Sequence, residues 1–235
     1  MTATRACDAL VFVTATNTEI GKTWWAAAVA GDLRARGCSV VARKPAQSYA
    51  PDDTSTDADV LAVATGESSD DVCPPHRRYP LPLAPPMAAE ALERAAFTIA
   101  DLDDEIGWTG HRDVALVEGA GGPRSPLASD GDNVDLARRL RPSTLLLVAD
   151  AGLGTINSVR CCAGALPLLP VVVALNRYVA TDDLHVRNRL WLSERYGYDV
   201  VTDPAALADR LASSLTVGRR PEGRPGRGTA TSESG

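Results

Sequence analysis

The chain has 235 residues, 45% hydrophobic, 23% charged and 5% aromatic, an ordinary globular composition with room for one large domain or two small ones. A net charge of −6 argues against a general nucleic-acid binder, and apolar runs such as Leu145–Ala149 and Pro170–Leu175 are far too short to span a membrane. Gly and Pro, 19 and 16 residues, are too few and too scattered for a fibrous or low-complexity chain.

Met1–Asp8 carries one Arg and runs straight into a stretch of strand length, unlike a secretory signal. Ala9–Val13 reads as a short buried strand, and Thr14–Ile20 as a polar loop ending at Gly21. Lys22–Arg36 is Ala-rich and helix-forming, closed by Gly37, and Ser39–Arg43 is a second strand stopped by Pro45. A helix over Asp57–Thr65 ends at Gly66, Val72–Pro86 is Pro-rich and irregular, and Met87–Ala96 is helical. Strand Asp113–Val117 precedes Glu118-Gly-Ala-Gly-Gly122, helix Asn133–Leu140 follows, and Ser143–Ala149 is a fourth strand. The remaining elements are helix Thr155–Leu166, strand Pro170–Leu175, helix Asp182–Tyr196, a weak strand Tyr198–Val201 and helix Pro204–Ser214.

Strands that alternate with helices, and that are continuous apolar runs, predict a parallel sheet covered on both faces. The fold expected is a single-domain, doubly wound α/β sheet, mostly parallel, with a modified P-loop, over residues 1–217. Residues 218–235, rich in Gly, Arg, Pro, Ser and Thr, read as a disordered tail. Ligands of such sheets sit beyond the carboxyl ends of the strands, and the informative residues lie there.

Cys7, Cys38, Cys73, Cys161 and Cys162 are odd in number and lack a C-x-x-C, so small buried thiols in a reducing cytoplasm are expected. Of the 24 basic residues only Lys22 and Lys44 are lysine. A chain that uses Arg for generic positive charge keeps lysine where a compact, mobile ammonium is needed.

Gly21-Lys22-Thr23 follows a strand and opens a helix, the setting in which backbone N–H groups hold polyphosphate. Lys22 is placed to reach the β- and γ-phosphates and the Thr23 hydroxyl to ligate Mg²⁺. A strict P-loop has Gly at the position of Thr16, so the bland alternative is a helix start shaped by Gly21 and Thr23. Lys44 stands at the carboxyl edge of the second strand, beside the first loop if strands one and two are near neighbours. There it would neutralise a transferring phosphoryl group; otherwise it is a solvated surface lysine. Asp57 is an Mg²⁺ carboxylate or a helix N-cap, with Asp59 as competitor. Glu118, at a strand tip before a backbone with little side-chain cover, suits a metal–phosphate site better than a plain turn. Asn176, after the fifth strand, is an adenine reader or a turn residue. His76, His111 and His185 show no ligand spacing.

Together these segments resemble the ATP-dependent dethiobiotin synthetase family. The family's G-T-D-T-E-[VI]-G-K-T loop corresponds to Ala15-Thr-Asn-Thr-Glu-Ile-Gly-Lys-Thr23, and its K-P-x-x-S/T to Lys44-Pro-Ala-Gln-Ser48. Asp57-Ala58, Leu81–Ala89, Val117–Gly122 with Pro126-Leu127, Leu153–Asn157 and Val171–Asn176 match further family segments in order, covering about residues 9–178. The C-terminal third matches more weakly.

The resemblance implies an enzyme that uses Mg²⁺ and ATP to close the ureido ring of dethiobiotin from 7,8-diaminononanoate and CO2 through a phosphorylated carbamate. It implies that Lys22, Lys44 and Thr18 act at the reacting centre, and that Thr23, Asp57 and Glu118 hold Mg²⁺. Glu19, Ile20, Gly21, Lys22, Thr23, Trp24, Glu118, Gly119, Ala120 and Gly121 would surround the nucleotide, with Asn176 at adenine. Ser48, Gly122, Leu153 and Asn157 would line the diamine, partly from the second subunit of a cytoplasmic homodimer. Neither nucleic acid nor membrane is implied as a partner. The chain departs from the family at Ala15, where a glycine with positive φ would make alanine strained, at Asn17, at the bulky Trp24-Trp25 pair, and in a shortened segment near Tyr198–Pro204. These departures leave a second reading, a divergent nucleotide-binding paralogue with another substrate or no catalysis. An amide ligase with a glutaminase domain needs a longer chain. A partitioning ATPase needs a lysine early in the loop, where none precedes Lys22.

Overall fold

The computed structural model describes residues 5–166 and 169–218. Apart from Gly218, the expected tail lies outside the described residues. The strands are β1 (Cys7–Ala15), β2 (Val40–Arg43), β3 (Gln47–Ser48), β4 (Arg78–Tyr79), β5 (Arg112–Glu118), β6 (Pro126–Ala128), β7 (Gly131–Asp132), β8 (Thr144–Asp150), β9 (Val171–Asn176) and β10 (Asp199–Val201). The helices are α1 (Lys22–Ala35), α2 (Asp57–Thr65), α3 (Ser69–Val72), α4 (Pro85–Ala91), α5 (Ile99–Glu105), α6 (Asn133–Leu140), α7 (Thr155–Gly164), α8 (Asp183–Leu190) and α9 (Pro204–Gly218).

Six strands form one parallel sheet in the order β10-β9-β8-β1-β5-β2. Side chains alternate between its faces with the period of two that a strand imposes. Phe12, Leu145 and Leu147 face a core completed by Ala88 of α4, Leu102 of α5, Leu136 of α6 and Val159 of α7. Val11, Val13, Leu146 and Val148 face the other, with Trp25 and Leu33 of α1, Leu61 of α2 and Leu211 of α9. Each fully buried Leu or Val contributes roughly 1.5–3 kcal/mol, so the two layers account for the uninterrupted apolar strands. Among the described residues no helix is long and apolar enough to cross a membrane.

The doubly wound parallel architecture is as expected; several local features are not. β1 and β2 are not neighbours, because β5 lies between them. The irregular stretch Val72–Pro86 begins at the last residue of α3 and contains a 3₁₀ turn at Pro75–Arg77 and β4, and α4 starts at Pro85 and stops at Ala91. Proline suits a first helical turn, where its missing N–H is no loss. α5 was not expected; a reciprocal cap between Thr98 and Asp101 starts it, with Thr98 N donating to Asp101 Oδ2 at 2.8 Å and Asp101 N to Thr98 Oγ1 at 3.1 Å. The helix expected over Asp182–Tyr196 divides into α8 and a π-helical turn at Trp191–Arg195. No disulfide joins any of the five cysteines among the described residues; only Cys73 is buried, and Cys161 is exposed.

Candidate active site

The carboxyl ends of β1, β2 and β5 bring three segments to one place. The loop after β1 runs into α1 through Glu19 and Gly21, both with positive φ (58° and 98°). At Gly21 a Cβ would lie 2.4 Å from Asn176 Nδ2, so the loop packs against the end of β9 too closely for a side chain. Among the described residues no side chain caps the start of α1, which leaves its first N–H groups for a ligand. Ala15 ends β1 in extended backbone outside the positive-φ set, so the strain expected of it does not arise.

Lys44 is 2% exposed and inside the site, not a solvated surface lysine. Its Nζ lies 2.6 Å from Glu118 Oε1 and 2.6 Å from Asp57 Oδ2, and donates to the Gly119 carbonyl at 3.2 Å. Thr23 Oγ1 donates within reach of both carboxylates, 2.8 Å to Asp57 Oδ1 and 2.9 Å to Glu118 Oε1. Asp57 thus faces the cluster, whereas Asp59 turns back to cap α2 through Thr56. Lys22 is 7% exposed and has no hydrogen-bonded partner among the described residues.

Burial sets the electrostatics. Desolvation raises the Glu118 pKa against the opposing pull of Lys44. Burial alone would lower Lys44, but the Asp57 and Glu118 charges outweigh it and hold the ammonium above the ordinary lysine range. The Lys44 charge holds Asp57 down at about 2. Burial, followed by repulsion from Lys44, lowers Lys22. A buried ion pair of this kind is poor evidence for stability, since desolvation offsets most of its attraction; it marks a site where charge is needed. Thr23, Asp57 and Glu118 offer the hard oxygen ligands that suit Mg²⁺, and Glu118 Oε2 is buried with no hydrogen-bond partner among the described residues, so this donor set fits the ion.

The other expected residues fall around this cluster. Thr18 is exposed, and its Oγ1 is 3.9 Å from a Cβ built at Gly121, which brings the phosphate loop alongside Gly119–Gly122. Ile20 accepts from Asn176 Nδ2 at 2.7 Å through its carbonyl, while Asn176 Oδ1 accepts from Trp25 Nε1 at 3.2 Å. Trp24 is on the first turn of α1 and exposed. Ser48 ends β3, with its hydroxyl buried and without a hydrogen-bond partner among the described residues. Leu153 is in the loop after β8 and Asn157 on the first turns of α7, and neither is hydrogen-bonded to Lys44, Glu118 or Asp57; Leu153 is 92% exposed.

Three positioning residues escaped the sequence reading. Asn133, 1% exposed, donates from Nδ2 to the Ala120 and Gly122 carbonyls, each at 2.7 Å, and accepts from Ala120 N at 3.1 Å. It pins the glycine-rich loop. Gln47 accepts from Ala58 N at 3.0 Å and donates to Thr56 Oγ1 at 3.2 Å, fixing the helix start that carries Asp57. Asn188 donates to the Ala151 and Gly152 carbonyls, each at 2.9 Å, holding the turn before α7. The one signal for Asn133 was a polar residue directly after Asp132, which reads as ordinary capping.

A family model described as an AAA domain matches residues 10–172. The ATP-dependent dethiobiotin synthetase BioD of Anaeromyxobacter sp. (strain Fw109-5) is 37% identical over 178 residues, 74% of this chain and 78% of that protein. The chain belongs to the dethiobiotin synthetase family. Family members from Rhodococcus jostii (strain RHA1), 38% identical over 87% of this chain and 90% of theirs, and from Caulobacter vibrioides (strain NA1000 / CB15N), 43% identical over 63% and 68%, are similarly related. Membership makes the chain a nucleotide-dependent ligase by class. Among solved structures, a plasmid partition protein from Borrelia burgdorferi superposes with a TM-score of 0.51 at 8% identity, covering 89% of this chain and 98% of that one, a likeness of fold alone.

Proposed function

We propose that this family member closes the cyclic urea of dethiobiotin from 7,8-diaminononanoate, CO2 and ATP. The observation that carries the reading is the buried Lys44–Glu118–Asp57–Thr23 cluster at the mouth of the Gly21-Lys22-Thr23 turn. One amine of the diamine adds to CO2 and loses a proton, giving a carbamate. A carbamate oxygen takes the γ-phosphoryl group of ATP, and ADP leaves. The second amine attacks the carbonyl carbon and gives up a proton, the C–O bond breaks with its electrons going to the departing phosphate, and the ring closes. Most of this is positioning and charge neutralisation, which is what the cluster offers.

In this reading Lys44 is a fixed cation and not a proton carrier, because its carboxylate partners keep it charged. Lys22, without a hydrogen-bonded partner among the described residues, is free to take the phosphate chain. Thr18 and Ser48 hold the carbamate or the diamine, and the buried unpartnered hydroxyl of Ser48 is open to that role. Thr23, Asp57 and Glu118 hold Mg²⁺, which supplies charge neutralisation at the phosphates. Backbone N–H groups of Glu19–Trp24 and the Gly119–Gly121 loop surround the nucleotide. Asn176 has given one N–H to Ile20 and one lone pair to Trp25, and keeps the other N–H for an adenine edge. Gly122, Leu153 and Asn157 line the diamine. The exposure of Leu153 and the Thr155 hydroxyl, without a partner among the described residues at the uncapped start of α7, suit a site completed by a second copy of the chain.

Purified protein with Mg-ATP, bicarbonate and the diamine is expected to form dethiobiotin and phosphate in equal amounts. Tight ATP binding without product would move the assignment to another substrate or to a non-catalytic paralogue.

A further inference from the structure

One large side chain beside the phosphate loop is not used by the core. Trp24 directly follows Thr23 on the first turn of α1, and 56% of its surface is exposed. Its neighbour Trp25 is 1% exposed and packs into the core. The two rings meet edge to face, with centroids 6.0 Å apart and planes at 83°. Trp25 Nε1 donates to Asn176 Oδ1, and Asn176 Nδ2 donates to the Ile20 carbonyl, so Trp24 belongs to a connected set with the loop and the end of β9.

Sheet order gives this set a direction. Lys44 follows β2 and Glu118 ends β5, on one side of β1, while Asn176 ends β9 on the other side, beyond β8. A polyphosphate lying along the N–H groups of the loop, with its reacting end at Lys44 and Glu118, sends its other end toward β9 and the first turn of α1. Trp24 stands there with more than half its surface uncovered. We propose that the Trp24 indole is the platform on which the nucleotide's base stacks. The inference rests on the nucleotide reading above and adds a specificity determinant to it. Stacking follows ring area, so purine triphosphates bind more tightly than pyrimidine ones, and adenine and guanine differ little through this contact.

The test is calorimetric titration, with Mg²⁺ present, of wild type, Trp24→Ala and Trp24→Phe against ATP and against inorganic tripolyphosphate, which has the phosphates and no base. Trp24→Ala is expected to weaken ATP binding about tenfold and Trp24→Phe to restore most of it, with tripolyphosphate affinity unchanged throughout. ATP should also change the tryptophan emission of wild type far more than that of Trp24→Phe. Equal losses for ATP and tripolyphosphate would make Trp24 a structural part of the loop, and an unchanged ATP affinity would leave it a surface residue; either overturns the proposal. Wild-type protein that binds tripolyphosphate but gains nothing from the base would also overturn it, while binding of neither ligand would overturn the nucleotide reading itself.

Discussion

The ammonium of Lys44 lies 2.6 Å from Oε1 of Glu118, and the two residues are 2% and 1% exposed. Seventy-four positions separate them in the chain. Each needs the other, because an isolated charge at that depth costs several kcal/mol. Lys44→Ala is expected to fold but to lose turnover by about a thousandfold, the scale for removing a group that stabilises developing charge. Glu118 then stands without its main counter-charge, and its already raised pKa rises further. A carboxyl whose folded pKa exceeds its unfolded one gives stability that is full below the unfolded value and lost as pH rises through the folded value. The melting deficit of Lys44→Ala should therefore widen from acid toward neutral pH. Near-normal turnover would remove Lys44 from the reaction.

Asp57 titrates the other way. Lys44 first, then its hydrogen bonds to Lys44 and Thr23, hold its pKa at about 2 against an ordinary 3.8. Between those values the unfolded chain binds more proton, so the Asp57 contribution is present above about pH 4 and is lost as pH falls through about 2. Its side chain is 41% exposed and solvent screens the pairing, so the effect is modest. Asp57→Asn should flatten the acid limb of melting temperature against pH. An unaltered limb would show that the pair contributes nothing there.

Asn133 predicts a defect away from the charged cluster. Replacing it with Ala removes three hydrogen bonds to the Ala120–Gly122 backbone and should cost about 1–3 kcal/mol. Gly119→Ala should do at least as much harm, since its Cβ would lie 2.0 Å from Asn133 Oδ1. Denaturant melts measure both. A neutral Gly119→Ala would mean that the loop relaxes freely.

Asn176→Ala should raise the KM for ATP several-fold more than the KM for the diamine, because it unties Ile20 from β9 next to the phosphate turn. Asn176→Asp keeps the acceptor for Trp25 but loses the donor to Ile20, and should show the same KM pattern. Equal changes in both KM values would assign Asn176 to general stability.

Much of this was legible in the residues. Continuous apolar strands can be satisfied only by cover on both faces, so the alternation of Ala9–Val13, Asp113–Val117 and Ser143–Ala149 with helices was enough for a doubly wound sheet. The scarcity of lysine singled out Lys22 and Lys44, and the position of Glu118 after a strand marked it as more than a turn residue. Element ends were less legible: β3, β4 and β7 have two residues each, too short to show any periodicity.

Strand order was decided by tertiary structure. Local patterning says that β2 is a strand but not where it pairs, and only its placement outside β5 brings Lys44 onto Glu118 instead of against β1. The supporting amides were decided there too. Asn133, Gln47 and Asn188 look like capping or surface residues in sequence, and become struts because the backbone groups they satisfy, at Ala120, Ala58 and Ala151, arrive from other segments once the chain has folded. The sequence alone determined which chemistry the chain carries at the ends of its strands. Which of those groups meet depends on long-range packing, for which no short window of residues holds the information.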